Sequence, residues 1–266
     1  MRGKRVIAHR GFADQYPENT VTSVVESIGR ADMVEVDVRP CATGELVVFH
    51  DETLDRLTDA TGAVAEQPLS RLRELDVGGS GEPIPTLPEL LAAVPDGPRV
   101  NLELKTTRPD AVARAINVCE RHGVDVLYSS FHDGAVRTVR ELRPGAALAV
   151  LAHRGHAIGD RLGLASELGA VAFHPSVALV EGWTGAPTDT DSLDVSVDVE
   201  DDTVTVDADI VALAHGLGLR VNAWTAPNHD AVRRLFDRGV DGVMIDHPED
   251  VPREMAARSR RRPSVE

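Results

Sequence analysis

Short apolar runs alternate with helical patterns along the whole chain. Apolar runs bounded by turn residues predict buried strands, and apolar residues spaced three and four apart predict one face of a helix. The pattern predicts eight strands, at residues 6–8, 33–38, 100–104, 126–130, 148–151, 171–173, 219–224 and 242–245. It predicts helices at residues 20–30, 87–93, 111–121, 134–142, 160–168, 208–216 and 231–238, with a last helix from about residue 249.

This alternation determines the expected fold class. Strands that alternate with helices predict a parallel sheet, and eight such repeats predict an α/β fold closed into a (β/α)8 TIM barrel. The alternative is an open, doubly wound sheet, which usually carries a glycine-rich first turn. The first turn here is His9-Arg10-Gly11-Phe12, which lacks that pattern. We therefore predict one barrel domain over residues 1–257, followed by a basic tail at residues 258–266.

Two segments interrupt the simple repeat. Residues 51–85 are long, polar and rich in turn residues, and they predict a small insertion between the second strand and its helix. Residues 185–202 are acidic and poor in apolar residues, and they predict an exposed loop between the sixth strand and its helix. A calcium-binding loop is the alternative for the acidic segment, but it lacks the spacing and the glycine of an EF-hand.

Composition narrows the classes of partner. The 266 residues include 28 Lys and Arg against 43 Asp and Glu, for a formal net charge of −15, which disfavours binding to nucleic acid or to anionic lipid. No apolar stretch approaches the roughly 20 residues that span a bilayer. The two cysteines form no CxxC pair, so neither a disulfide framework nor a structural zinc site is expected. We predict a cytoplasmic protein without stable membrane insertion.

Acidic side chains occupy two neighbouring strands. Side chains alternate along a strand, so Glu35 and Asp37 face one side, and Glu103 and Lys105 share a side of the next strand. Burying three carboxylates together is unfavourable unless a cation neutralises them, and a hard divalent ion such as Mg²⁺ or Ca²⁺ suits oxygen ligands. The alternative is an internal Glu103–Lys105 ion pair, with Glu35 and Asp37 solvated.

Two histidines lie near these carboxylates in the predicted barrel. His9 ends the first strand, and His50 ends a run that follows the second strand after a turn. Two imidazoles beside a cation suit general acid–base catalysis near neutral pH, although either one is alternatively a metal ligand or a structural histidine. Lys105 is one of only two lysines in the chain, and a phosphate oxygen is a natural partner for its ammonium.

The order and spacing of several short motifs carry a resemblance over nearly the whole chain. These motifs are His9-Arg10-Gly11, Pro17-Glu18-Asn19-Thr20, Glu35-x-Asp37, Val48-Phe49-His50-Asp51, Leu102-Glu103-Leu104-Lys105, Ala223-Trp224-Thr225 and Asp246-His247-Pro248. On these motifs the sequence resembles the glycerophosphodiester phosphodiesterase family. One departure is Thr43, which stands where the turn before His50 usually carries an acidic residue.

The resemblance implies a TIM barrel in which residues 51–85 are the family's small insertion. It implies metal-dependent hydrolysis of a glycerophosphodiester to glycerol 3-phosphate and an alcohol, with one divalent cation, Mg²⁺ or Ca²⁺. The implied metal ligands are Glu35, Asp37 and Glu103, the catalytic residues are His9 and His50, and the substrate-binding residues are Arg10, Lys105, Asn19, Trp224, Phe12 and Phe131. The nucleophile is either the glycerol 2-hydroxyl, which gives a cyclic phosphate, or water.

Two other functions remain open for such a site. A lysophospholipase-D-like activity on a lipid phosphodiester would need an apolar rim, which the aromatic content of 3% and the acidic charge disfavour. A non-catalytic barrel that binds a phosphodiester would usually have lost a metal ligand or a catalytic histidine. All three carboxylates and both histidines are present here.

Overall fold

The computed structural model describes residues 3–94, 99–185, 188–190, 192–252 and 255. The strands are β1 (Arg5–Ala8), β2 (Met33–Pro40), β3 (Leu46–Val48), β4 (Arg99–Leu104), β5 (Val126–Ser130), β6 (Ala147–Ala152), β7 (Ala172–Pro175), β8 (Val197–Glu200), β9 (Thr203–Val206), β10 (Arg220–Ala226) and β11 (Gly242–Ile245). The α-helices are α1 (Val21–Ser27), α2 (Leu69–Leu72), α3 (Leu87–Ala92), α4 (Pro109–His122), α5 (Asp133–Leu142), α6 (Ile158–Glu167), α7 (Val177–Glu181), α8 (Ile210–Gly216) and α9 (His229–Asp237). Short 3-10 turns cover His9–Gly11, Val64–Glu66 and Pro248–Asp250.

Eight of these strands form a closed parallel barrel in the order β1, β11, β10, β7, β6, β5, β4 and β2. Pairing between β1 and β2 closes the ring, with Ile7 opposite Met33 and Ala8 opposite Val34. The closure confirms the predicted (β/α)8 TIM barrel and excludes the open sheet. The eight barrel strands differ from their predicted bounds by at most two residues, and the seven predicted helices by at most three.

The acidic segment differs from its prediction as a plain loop. Its last residues form β8, which pairs antiparallel with β9, just beyond the segment, through a turn at Asp201 and Asp202, whose φ angles are 45° and 63°. Two consecutive residues with positive φ are typical of a two-residue hairpin turn. The valines of this segment alternate with polar residues, and Val195 and Val197 pack partly buried against the main core. The acidic composition concealed a period-two strand pattern, and α7, which the pattern also missed, precedes this hairpin.

Residues 51–85, predicted as an insertion, share a small apolar cluster with the β2–β3 hairpin. Phe49 from the end of the β3 run packs with Leu54, Leu72 and Ile84, all fully or nearly fully buried. β3 is antiparallel to β2, with Val38 opposite Val48. This hairpin carries His50 back towards the mouth of the barrel. A 3-10 turn at Pro248–Asp250 stands where the last helix was predicted to begin, and the predicted basic tail at residues 258–266 lies outside the described residues.

The barrel strands separate apolar from polar side chains by alternation. Val34, Val36 and Val38 of β2 belong to the main apolar cluster, whereas Glu35 and Asp37 do not. The interior holds a second, smaller apolar cluster that includes Ile7 and Met33 near the middle of the barrel. Polar side chains therefore collect inside the barrel towards the carboxyl ends of the strands. Among the described residues no helix is both long and apolar enough to cross a membrane.

Candidate active site

Three carboxylates meet inside the barrel at the carboxyl ends of β2 and β4. Parallel pairing sets Asp37 opposite Glu103, and Glu35 lies two residues before Asp37 on the same face. One oxygen atom of each carboxylate lies within 4.8 Å of the others. The residues are only 2%, 1% and 7% exposed for Glu35, Asp37 and Glu103, respectively. A buried group of three oxygen ligands at this spacing can bind a divalent metal ion.

The nearby basic side chains compensate only part of this negative charge. Lys105 Nζ lies 2.5 Å from Glu103 Oε1 and 3.3 Å from Asp37 Oδ1. Arg10 Nε lies 3.5 Å from Asp37 Oδ2, which is an ion-pair contact without hydrogen-bond geometry. Two cations thus face three carboxylates. The alternative without a metal predicted a Glu103–Lys105 ion pair and solvated Glu35 and Asp37. The ion pair is present, but Glu35 and Asp37 are buried.

In the described structure Glu35, unlike Asp37 and Glu103, forms no ion pair with a Lys or Arg side chain. Burial, reinforced by the charges of Asp37 and Glu103, raises its pKa well above the usual value. Burial also acts to raise the pKa of Asp37, but Lys105 and Arg10 outweigh it and hold that pKa below its usual range. Glu35 Oε2 accepts a hydrogen bond of 3.0 Å from the Arg10 backbone, whereas the buried Oε1 has no hydrogen-bond partner in the described structure. An orphaned buried carboxylate oxygen in an acidic cluster fits a bound cation.

His9 lies beside this cluster and is held by a carboxylate. Its Nδ1 lies 2.6 Å from Asp246 Oδ1, and its Nε2 lies 4.0 Å from Glu35 Oε2. Because Nδ1 faces a carboxylate, the neutral imidazole carries its proton there, and Nε2 is left as an acceptor towards the barrel mouth. Thr225 Oγ1, 3.5 Å from Nδ1, contacts the same edge of the ring.

His50 is held in the same way. Its Nδ1 lies 2.6 Å from Asp51 Oδ1, so its Nε2 is also left as an acceptor. Arg56 donates from Nε to Asp51 Oδ2 at 2.6 Å and from two nitrogens to the Glu18 carboxylate. Burial lowers the pKa of His50, although the charge of Asp37 opposes the shift. Both histidines therefore have the tautomer that suits proton transfer at Nε2.

The residues between β1 and α1 bend sharply to reach the site. Arg10, Phe12 and Asn19 have φ angles of 49°, 64° and 59°, in the left-handed region that non-glycine residues seldom adopt. Asn19 Nδ2 donates to Asp37 Oδ2 at 2.9 Å, and its Oδ1 accepts from the Asp37 backbone at 3.1 Å. Arg10 Nη1 donates to Glu18 Oε1 at 2.9 Å. Asn19, predicted as a substrate contact, is instead buried and holds Asp37.

The predicted aromatic residues separate into two groups. Phe131 and Trp224 meet edge to face, with ring centroids 5.4 Å apart, and Lys105 Nζ lies 5.6 Å from the Phe131 ring. These two rings therefore adjoin the basic and acidic residues of the site. Phe12 is fully buried in the main apolar core, so its predicted position in the substrate pocket was wrong.

Several site residues were missed by the sequence analysis. Asp246 and Asp51 hold the two imidazoles, and Glu18 joins Arg10 to Arg56. All lie in or beside the quoted motifs, but spacing alone did not assign them a partner.

Two further histidines also lie at the site: the rings of His153 and His156 have centroids 5.6 Å and 5.9 Å from that of Phe131. Their position in a Leu-Ala-His-Arg-Gly-His segment just after β6, at the carboxyl end of a barrel strand, was the available signal.

Known proteins with similar sequences cover nearly the whole chain. The model of the glycerophosphoryl diester phosphodiesterase family matches residues 9–250. A glycerophosphodiester phosphodiesterase from Caldanaerobacter subterraneus subsp. tengcongensis is 28% identical over 257 residues, covering 92% of this chain and 94% of the relative. A probable glycerophosphodiester phosphodiesterase 2 from Mycobacterium tuberculosis is 29% identical, covering 93% and 89%.

Solved structures give the same result for the fold. An Oleispira antarctica phosphodiesterase, solved in complex with the product sn-glycerol-3-phosphate, superposes with a TM-score of 0.77 at 26% identity and covers 96% of each chain. A glycerophosphodiester phosphodiesterase from Thermotoga maritima has a TM-score of 0.69 at 24% identity, covering 92% of this chain and 95% of that one. The second likeness bears on the fold alone.

Proposed function

The chain belongs to the glycerophosphoryl diester phosphodiesterase family, and from this membership we propose that it hydrolyses glycerophosphodiesters to glycerol 3-phosphate and an alcohol. The observation that carries the proposal is the pair of imidazoles around one acidic cluster, each with Nδ1 2.6 Å from a carboxylate oxygen. Such a pair suits a reaction in which one group removes a proton and another supplies one. We further propose a cytoplasmic location. Both cysteines of the chain are buried and free, and free cysteines are typical of proteins in the reducing cytosol.

Glu35, Asp37 and Glu103 are the proposed ligands of one divalent cation, Mg²⁺ or Ca²⁺. The orphaned Glu35 Oε1 and the unbalanced charge of the cluster support this set. Oxygen-only donors favour these hard ions over zinc. When bound, the cation would neutralise charge on the phosphoryl oxygens as it grows in the transition state. Asn19 would keep Asp37 in place through its two hydrogen bonds.

The chain's own side chains would bind and orient the phosphate. Lys105 and Arg10 line the cluster with positive charge, and each would contact a non-bridging phosphate oxygen. Phe131 and Trp224 would pack against the glycerol moiety and exclude water on that side. In-line displacement would require the attacking and leaving oxygens on opposite sides of the phosphorus, each near one of the two Nε2 atoms.

Proton transfer would pass through the two free imidazole nitrogens. Nε2 of one neutral histidine accepts the proton of the attacking hydroxyl while a new P–O bond forms. The other histidine, present as an imidazolium with a proton on each nitrogen, gives its Nε2 proton to the leaving alkoxide as the old P–O bond breaks. Asp246 and Asp51 would stabilise each imidazolium as it forms. When the attacking hydroxyl is the glycerol 2-hydroxyl, exchange of the two roles would let water open the cyclic phosphate.

Turnover of glycerophosphocholine by His9→Ala and His50→Ala tests the assignment. We expect each to fall by about 10²–10⁴-fold, as loss of a general acid or base does, while the exposed His122→Ala control stays at the wild-type rate. A substrate with a nitrophenolate leaving group separates the roles, because such a group departs without a proton. The variant that lacks the general acid should regain most of its rate on this substrate, and the variant that lacks the base should not.

Metal removal is the complementary measurement. Exhaustive dialysis against a chelator should abolish turnover, and Mg²⁺ or Ca²⁺ should restore it. Full activity after chelation, or near-normal turnover in both folded histidine variants, would contradict the proposal. A preference for lysophosphatidylcholine over glycerophosphocholine would favour the lipid substrate instead.

A further inference from the structure

Three arginines form one layer at the amino-terminal end of the barrel. Arg5, Arg99 and Arg220 are the first residues of β1, β4 and β10. These strands alternate around the ring, because β2 lies between β1 and β4 and β11 lies between β1 and β10. Alternate strands of such a barrel contribute one layer of inward side chains. The fourth strand of the set, β6, begins with Ala147, whose small side chain leaves room in the layer.

A cavity of about 450 Å³ opens among these arginines. Its walls include the three arginines, Leu127, Ala172 and Asn222. Asn222 is nearly fully buried and lies two residues further along β10 than Arg220, so the cavity reaches into the barrel. Gly242 stands opposite Asn222, and a Cβ there would lie 2.3 Å from Asn222 Oδ1. The volume falls in the range of small-molecule sites.

The positive charge of this layer is largely unpaired. In the described part of the chain, neither Arg5 nor Arg220 forms a side-chain hydrogen bond or lies within 4.0 Å of a carboxylate. Arg99 Nη2 pairs with Asp125 at 3.0 Å, but its buried Nε has no partner among those residues. Burial, then the charges of Arg220 and Arg99, lowers the pKa of Arg5, against the opposing charges of Asp32 and Asp241.

This arrangement is the reverse of what structural stability alone would favour. Residues at this end of a barrel ordinarily serve stability, and a stabilising cluster would pair each guanidinium with a carboxylate. The chain has 43 acidic residues available for that purpose. Instead, three guanidinium groups share one cavity in a protein of net charge −15. Converging guanidinium groups with free N–H donors match the oxygens of a phosphate group.

We propose that the layer formed by Arg5, Arg99 and Arg220 binds a phosphate group, as inorganic phosphate or as a small phosphate monoester, at the end of the barrel opposite the catalytic carboxylates. The bound anion would contact the first residues of three strands that are not neighbours in the ring. It would thereby hold the amino-terminal end of the barrel together, and its binding free energy would add to the stability of the folded state.

Equilibrium dialysis of the full chain against radiolabelled phosphate, with the divalent metal chelated, tests the proposal. The wild type, the exposed-site control Arg121→Gln and the active-site variant Lys105→Gln should each retain this site. The double variant Arg5→Gln/Arg220→Gln should bind at least about 100-fold more weakly, at about tenfold for each lost charged hydrogen-bond donor. Its kcat and KM for a glycerophosphodiester should match those of the wild type.

Labelled glycerol 3-phosphate in a parallel dialysis separates the two sources of the phosphate group. The proposal is supported if the Lys105→Gln variant binds either anion and the double variant has lost that affinity. The anion that binds more tightly is then the preferred source. Equal affinity in the wild type and the double variant, or no binding in Lys105→Gln, overturns it. Wild-type crystals soaked in tungstate give a result that needs no variant. Electron density for tungstate among the three guanidinium groups supports the proposal. Tungstate density confined to the catalytic end of the barrel overturns it.

Discussion

A histidine inside the barrel gives a prediction about how stability depends on pH. His174 of β7 is fully buried, its Nε2 lies 2.9 Å from Asn222 Nδ2, and its Nδ1 has no hydrogen-bond partner in the described structure. Burial lowers the pKa of His174 from 6.5 to about 3. Among the described residues no carboxylate opposes this effect of burial, so folding keeps this imidazole neutral.

The sign of the effect follows from proton binding in the two states. Above pH 6.5 the ring is neutral in both the folded and the unfolded chain, and its contribution to stability is fully present. As the pH falls from 6.5 towards about 3, the unfolded chain binds a proton that the folded chain does not, so the free energy of unfolding decreases. At pH 5, about 1.5 pH units below the unfolded value, the loss from this one group is about 2 kcal/mol.

Urea unfolding at pH 7 and pH 5 measures this loss. His174→Gln keeps a hydrogen-bond acceptor for Asn222. Between pH 7 and pH 5 its free energy of unfolding should decrease by about 2 kcal/mol less than that of the wild type. The exposed His122→Gln should lose as much as the wild type. Each variant is compared with itself, so a cavity or a lost contact cancels, and the carboxylates contribute equally to all three proteins. An identical loss in the wild type and His174→Gln would refute the reasoning.

Two further substitutions test the site and the turn that leads to it. Asp246→Asn should lower kcat by about 10²-fold or more and leave KM nearly unchanged, because the amide favours the wrong imidazole tautomer. Asp241→Asn, which removes a carboxylate that contacts another histidine, should leave kcat at the wild-type value, and an equal loss in both would contradict the tautomer argument. Gly11→Ala would put a Cβ 2.4 Å from Ser23 Oγ, so we expect thermal unfolding to report about 1–3 kcal/mol more destabilisation than for Gly29→Ala. Gly29 has nearly the same φ, 80° against 81°, and open space around it, so equal effects would mean that backbone strain alone acts at Gly11.

The sequence predicted the barrel well because its signal is local. A period of two along β2 and β4 brings Glu35, Asp37 and Glu103 to one face, and parallel pairing then aligns Asp37 with Glu103. The hairpin at Asp201 and Asp202 was missed because its strand pattern lies in an acidic segment that resembles a solvated loop.

The remaining site residues depend on contacts distant in the sequence. His9 and Asp246 are 237 positions apart, and only closure of the ring brings them together. Arg5, Arg99 and Arg220 each resemble an ordinary charged residue that precedes a strand, and only the alternation of strands around the ring makes them a layer. Spacing along the chain carries no information about either set.

The pairing of β1 with β11 has a consequence for synthesis of the protein. Arg5 lies opposite Gly242 and Ala8 opposite Ile245, so the first strand finds one of its two neighbours only in the last strand. Asp246, which orients His9, follows directly after that last strand. A nascent chain that has not yet reached residue 242 lacks the last strand of the barrel, and it has no Asp246 to orient His9. Premature termination anywhere before residue 246 should therefore yield a product without phosphodiesterase activity.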